Sequence, residues 1–315
     1  MNISSHVAMG EGAEFDAIRR LLALWGPRAA GIGDDAAILD VPAGERLVVS
    51  TDASVEDVHF RREWLSAEEV GARATAAALS DLAAMAATPR GLLLALGLPD
   101  RWRGDIDALA RGVGNVAASA GCAIIGGNIT KAGELSLTVT VLGSAKRPVT
   151  RDGAVADDDL YVTGSLGGSG AALRSLLAGE APQPAHRARF AAPVPRLRES
   201  VWLAARGAHA AIDISDGLLG DATHLARASG VSLALDERTI PLFPGVSVED
   251  ALASGEEYEL LVAMPGTMKI DAGEFEQLFG ISLTWIGTVS AAGEVPVLFR
   301  RGSADRPGGG HDHLA

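Results

Sequence analysis

The sequence predicts an α/β chain of two domains, each a sheet covered by helices. Strand-like and helix-like patterns alternate along both halves. One polar, turn-rich stretch, SAKRPVTRDGAVADDD at 144–159, separates them. A length of 315 residues gives ample core for two medium domains without disulfide or metal staples.

In the first half, Phe15, Ile18, Leu21, Leu22 and Trp25 recur at three-to-four spacing and predict a helix over 14–25, stopped by Pro27. GIGDDAAIL at 31–39 follows as a Gly-rich segment, and RLVVST at 46–51 reads as a buried strand running into Asp52. An Ala-rich helix covers 66–87, with Ser66 as N-cap and Glu68 and Glu69 in its first turn. Strand 91–98, helix 105–120 and strands 122–126 and 135–143 complete this half. The second half opens on strand 160–164, and the turn SLGGSG feeds a helix over 169–178. GEAPQPAHRAR at 179–189 reads as a polar surface connection. Helix 196–206, strand 210–213, helix 217–229, strand 231–236, a short helix over 247–253, strand 258–264, helix 271–279 and strands 283–288 and 295–299 follow. The Gly-rich tail after 300 reads as mobile unless something holds it. The domains are expected at 1–146 and 147–315.

Charge and motifs exclude several classes. With 27 basic and 40 acidic side chains the net charge is −13, which argues against a nucleic-acid or anionic-membrane partner. A single cysteine, Cys122, allows neither an intrachain disulfide nor a cysteine-based zinc site. The start lacks the charged and apolar regions of a signal peptide, and the longest apolar runs are far too short to cross a bilayer. A soluble, cytoplasmic protein is therefore expected. There is no GxxxxGK[ST] segment, no GxGxxG after a strand, no GxSxG and no HExxH.

What the chain carries instead is aspartates at strand ends and glycine turns. They are Asp34 and Asp35 in GIGDDAA, Asp52 in STDASVEDVHF, Asp81 in ALSDLAAM, and Asp213 and Asp216 in AIDISDGL. Singly, each is an ordinary turn former or helix cap, and Asp216 could simply cap the helix after it. As a set they point further. Asp52 and Asp213 follow apolar strands, where α/β sheets collect ligands, and Asp81 lies inside a helical stretch where no turn role exists. Two carboxylates ~5 Å apart repel by roughly 3 kcal/mol at an effective dielectric of ~20. Divalent cations relieve that repulsion, and all-oxygen ligands select hard ions, Mg²⁺ above all. Such a site presents nucleotide phosphates without a P-loop.

In sequence order, GEGAEFDAI, GIGDDAAIL, STDASVEDVHF, ALSDLAAMAATP, IIGGNIT, TRDGAVADDDLYVTGSLGGSGAAL, PVPR, AIDISDGL, SGEEYELL and the terminal GHDH match those of one family. From about residue 11 to its end the chain resembles the thiamine-monophosphate kinases, of the aminoimidazole-ribonucleotide-synthetase superfamily. The resemblance implies an α/β chain (α+β sandwich type) of two mixed sheets covered by helices, with N-terminal domains that pair in a homodimer. It implies transfer of the γ-phosphoryl of ATP to thiamine monophosphate, with several Mg²⁺ ions. By motif, Asp35, Ser50, Thr51, Asp52, Asp81, Asn128, Asp213 and Asp216 would be metal ligands. Gly127, Asn128, Arg151 and Ser215 would contact ATP, and His59, Glu256 and His311 the thiamine phosphate. The acceptor is already a phosphate oxyanion, so no general base or covalent nucleophile is expected.

Five departures stand out. Asn128 and Ile129 replace an aspartate and a threonine, Lys131 an arginine, Ala78 an asparagine, and Glu257 an aspartate. Asn128 keeps an oxygen donor and loses a charge, or else only shapes the turn after Gly126 and Gly127. Another ATP-dependent activity of the superfamily, or binding without turnover, are the rival readings.

Overall fold

The structure, a computed structural model, describes residues 12–29 and 32–299. The tail after 300, with His311, lies outside the described residues. The chain divides into two compact units: residues up to Leu82 with Ala87–Arg147, and Ala83–Ala86 with residues from Pro148 onward.

The first unit is a four-stranded sheet with helices. Its elements are α1 (Ala13–Trp25), β1 (Arg46–Val55), α2 (Ala67–Ala84), β2 (Thr88–Leu98), α3 (Ile106–Ser119), β3 (Ala123–Lys131) and β4 (Ser136–Ala145). The strand order is β1-β4-β2-β3, antiparallel except for the parallel pair β2 and β3. Ser66 and Glu69 close the N-terminus of α2 reciprocally: the Ser66 N–H donates to the Glu69 carboxylate at 2.8 Å and the Glu69 N–H to the Ser66 hydroxyl at 3.3 Å. The alanines of α2 leave its backbone approachable. A Cβ on Gly71 would lie 2.2 Å from the Leu109 carbonyl oxygen, and one on Gly112 of α3 would lie 2.0 Å from that of Glu68. The two helices therefore cross backbone to backbone. Trp25 ties α1 to α3 through a hydrogen bond from its indole to the Ala110 carbonyl, 2.9 Å. The apolar side chains of β2 and β4, from Leu92 and Leu94 to Val139 and Val141, are buried within this unit. Among the described residues, the exposed large apolar side chains of the sheet are Leu47 and Val49 of β1.

The second unit holds β5 (Asp158–Thr163), α4 (Gly168–Leu177), α5 (Pro184–Ala191), α6 (Leu197–Ala205), β6 (Ala210–Asp213), α7 (Leu218–Ser229), β7 (Val231–Leu235), α8 (Val248–Ala253), β8 (Leu260–Pro265), α9 (Ala272–Phe279), β9 (Leu283–Ala291) and β10 (Val297–Phe299). Its six strands run β10-β7-β9-β5-β8-β6, again mixed, with only β10 and β7 parallel. The strand β8 reads as a continuous apolar run because it is covered on both faces. Leu261 and Ala263 pack with α7 residues Leu218, Ala222 and Leu225. Leu260, Val262 and Met264 pack with Leu203 of α6 and Phe275 of α9. The α/β class with two mixed sheets is thus the observed one. Three stretches differ from expectation. Residues 184–191 are helix α5 rather than surface connection, β3 runs on to Lys131, and β8 starts at Leu260, after an irregular segment at 254–259. Among the described residues no helix is long and apolar enough to cross a membrane.

Candidate functional site

In the first unit Ser50, Thr51 and Asp52 lie on β1 and Asp81 on α2, while Gly127 and Asn128 lie on β3, at the opposite edge of the sheet. Strand alternation places Val48, Ser50 and Asp52 on one face and Val49 and Thr51 on the other. The Ser50 hydroxyl donates to the Asp81 carboxylate of α2, so a serine of the strand and an aspartate of the helix meet on that face. Asp52 accepts the Ala53 N–H at 2.8 Å. The Thr51 hydroxyl instead meets that of Thr140 on β4 at 3.0 Å, which separates its side chain from the Ser50–Asp81 pair. Asp35 lies exposed on a bend at 33–36, its N–H donating to Asp34 at 2.9 Å. Gly127 and Asn128 are exposed positions inside β3, and Asn128 pairs with Ala95 of β2. The turn role for Asn128 is thereby removed. Gly127 is required for a steric reason, since a Cβ there would lie 2.0 Å from the Leu94 carbonyl oxygen.

Beyond β1 the chain turns through VEDVHF. The His59 ring nitrogen Nδ1 accepts the Val55 N–H at 3.1 Å, which for a neutral ring places the proton on Nε2. That turn is anchored by Glu56, which sequence reasoning passed over. Its buried carboxylate accepts from Arg101 at 2.6 Å, from the Trp102 indole at 3.0 Å and from the Leu135 N–H at 3.3 Å.

In the second unit, Asp213 ends β6 and is buried, while Ser215 and Asp216 lie half-buried in the loop before α7. No side chain caps α7, whose N-cap is Gly217, so Asp216 does not play that part. The loop is held from inside the helix: Asp221 accepts the N–H groups of Ser215 and Asp216, each at 3.0 Å. Burial pushes the Asp221 carboxyl up to about 7, with the neighbouring charges of Asp213 and Asp216 adding to the rise. Among the described residues no three acidic, histidine or cysteine side chains stand close enough to hold a metal ion. Arg151 is exposed, and its carbonyl accepts the Ser229 hydroxyl at 2.7 Å.

The segment 254–259 is stitched to the same loop. The N–H groups of Glu256, Glu257 and Tyr258 donate to the carbonyls of Ser215 (2.7 Å), Ile214 (3.1 Å) and Ile214 (2.9 Å). A Cβ on Gly255 would lie 2.7 Å from the Ser215 oxygen. The cost is backbone strain. Glu256 and Tyr258 adopt φ of 56° and 52°, left-handed conformations worth on the order of 1 kcal/mol or more each for such residues. Asp213, Ser215, Asp216 and Glu256, distant in sequence, therefore form one local group.

Comparison with known proteins supplies the remaining observation. Residues 33–145 match the AIR synthase related protein N-terminal domain, and residues 155–298 the AIR synthase related protein C-terminal domain. Thiamine-monophosphate kinase of Haemophilus influenzae is 32% identical over 90% of each chain. The chain belongs to the thiamine-monophosphate kinase family. Among solved structures, the thiamine-monophosphate kinase of Stenotrophomonas maltophilia is 35% identical with a TM-score of 0.81, covering 91% of this chain and 96% of that one. AaThiL complexed with AMPPCP and TMP is 30% identical with a TM-score of 0.76, covering 98% of this chain and all (100%) of that one. Within this thiamine-monophosphate kinase family member, Ser215, Asp216 and Glu256 sit on two loops held together by backbone bonds, with Asp213 at the strand end beside them, and Ser50, Thr51, Asp52, Asp81, Gly127 and Asn128 sit on strands β1 and β3 and helix α2.

Proposed function

We propose that this chain transfers the γ-phosphoryl group of ATP directly to the phosphate of thiamine monophosphate, giving thiamine diphosphate and ADP. Family membership across nearly the whole chain, with a relative complexed with AMPPCP and TMP, carries the ATP-dependent kinase assignment. The direct in-line route rests on chemistry: a phosphate oxyanion needs no base, only positioning and neutralisation of charge. No activated nucleophile is called for.

The donor set fits Mg²⁺, because every candidate atom is an oxygen of Asp, Ser, Thr or Asn. Such an ion, when bound, neutralises the phosphate charge. Several such ions are called for: Ser50, Asp52 and Asp81 would hold one beside β1, Asn128 would serve another on β3, and Asp213 and Asp216 would hold one in the second unit. Mg²⁺ sites commonly use one or two carboxylates and complete their shell with substrate phosphates, in keeping with carboxylates that stand apart here. Arg151 and Ser215 would orient the polyphosphate, and His59 and Glu256 the acceptor. The exposed Leu47 and Val49 of β1 support a homodimer joined through the first unit, which solution scattering at micromolar concentration would reduce to a monomeric mass if the proposal is wrong.

The deciding experiment incubates the protein with ATP, Mg²⁺ and thiamine monophosphate and measures thiamine diphosphate, with a chelator control. Product that depends on all three components supports the reading. Binding of ATP and thiamine monophosphate without product would leave a binding protein.

A further inference from the structure

Beneath the segment that carries Glu256 lies a buried ionic network that joins the SGEEYELL and PVPR motifs to Arg189, a residue outside every motif. The Glu257 carboxylate is fully buried, and its Oε1 accepts from the N–H groups of Gly167 (2.9 Å) and Ser169 (3.1 Å), at the start of α4, and from the Ser254 hydroxyl (2.5 Å). Arg189 of α5 donates to Glu257 Oε2 at 3.3 Å, to the Glu257 carbonyl at 2.6 Å and to Glu259 Oε1 at 2.6 Å. Arg196 forks onto both oxygens of Glu259, at 2.7 and 2.5 Å, and the Thr163 hydroxyl donates to Oε2 at 2.7 Å. Glu256 thus stands half-buried between residues whose left-handed and neighbouring conformations are held by side chains anchored below.

We propose that Arg189, acting through Glu257 and Glu259, is a positioning residue that sets Glu256 for the acceptor substrate. The physical reason is redundancy of constraint. A left-handed Glu256 and Tyr258 persist only if the residues between and beside them are pinned, and Arg189 bonds Glu257, Glu259 and a backbone carbonyl of the strained stretch. A guanidinium does this because its planar fork reaches three acceptors at once; an ammonium on the same stem cannot. The proposal rests on the kinase reading and on Glu256 facing the acceptor.

The test is a double-substitution cycle with Arg189→Lys and Glu256→Gln, measuring kcat and the KM of each substrate. Arg189→Lys alone is expected to raise the KM for thiamine monophosphate roughly tenfold, with the KM for ATP within about twofold. In the Glu256→Gln background, Arg189→Lys should add nothing further to that KM, because the group it positions is already gone. Should Arg189→Lys fold poorly, Ser254→Ala removes one hydroxyl from Glu257 and is expected to shift the same KM in the same direction by a smaller factor. Independent, multiplicative effects of the two substitutions, or equal changes in both KM values, would overturn the positioning role while leaving the kinase reading intact. A wild-type protein that binds no thiamine monophosphate in calorimetry would overturn both.

Discussion

The two groups of site residues are built in opposite ways. Ser50, Asp52 and Asp81 take their places from regular structure: a strand that alternates and a capped helix beside it, with no strained backbone at any of the three. Ser215, Asp216 and Glu256, beside Asp213 at the end of β6, sit on irregular loops held by backbone bonds, by the buried Asp221 and by two arginines. The first arrangement should tolerate loss of one of these side chains without unfolding, since the strand and the helix form without it. In the second, geometry and stability are the same property.

That contrast is open to measurement. The largest effect is expected for Asp81→Ala, which should lower the kinase rate by about 10²-fold or more while circular dichroism and thermal midpoint stay near wild type. A large fall in the midpoint would erase the distinction between the groups. Next comes Arg196→Met, which leaves the buried Glu259 charge with one fewer cation and should cost about 3–5 kcal/mol in urea unfolding. A cost under about 1 kcal/mol would mean that the network contributes little to stability.

The pH dependence of stability sharpens the comparison within the second group. Asp221 keeps its proton up to about pH 7 in the folded state, against a reference value of 3.8. The unfolded chain therefore binds fewer protons across that window, and this group's contribution to stability falls as pH rises from about 4 to about 7. Unfolding measured in chelator should show this slope in wild type and a flatter one in Asp221→Asn; identical slopes would remove the effect. The smallest change is expected from Asn128→Asp. Added negative charge at the same side-chain size should shift the Mg²⁺ dependence of the rate a few-fold to lower concentration. Coincident curves would remove Asn128 from the metal site.

How far sequence reasoning reached follows the same division. The α2 cap, Ser66 with Glu69, was legible because its partners lie only three positions apart, and the placement of Asp81 inside a helix followed from the Ala-rich pattern. The extent of β3 was not, because its continuation past Gly126 and Gly127 depends on pairing with β2 rather than on its own residues. Helix α5 was hidden by its polarity. Arg189 looks like a solvated side chain until its partner Glu257, 68 positions away, is known. The irregular 254–259 segment was masked for the same reason: an apolar strand pattern beginning at Tyr258 gives no sign that φ is positive there.

The glycine crossing of α2 and α3 gives the first unit a mechanical property. Gly71 and Asp81 lie on one rigid helix, ten residues and therefore about 15 Å apart. The crossing is a fulcrum with no slack, since any side chain at Gly71 or Gly112 must wedge the two backbones apart. A wedge there tilts the rod, and its far end carries the carboxylate that faces Ser50. A single methyl group on α3, at Gly112, would then act at Asp81 as a change of aim.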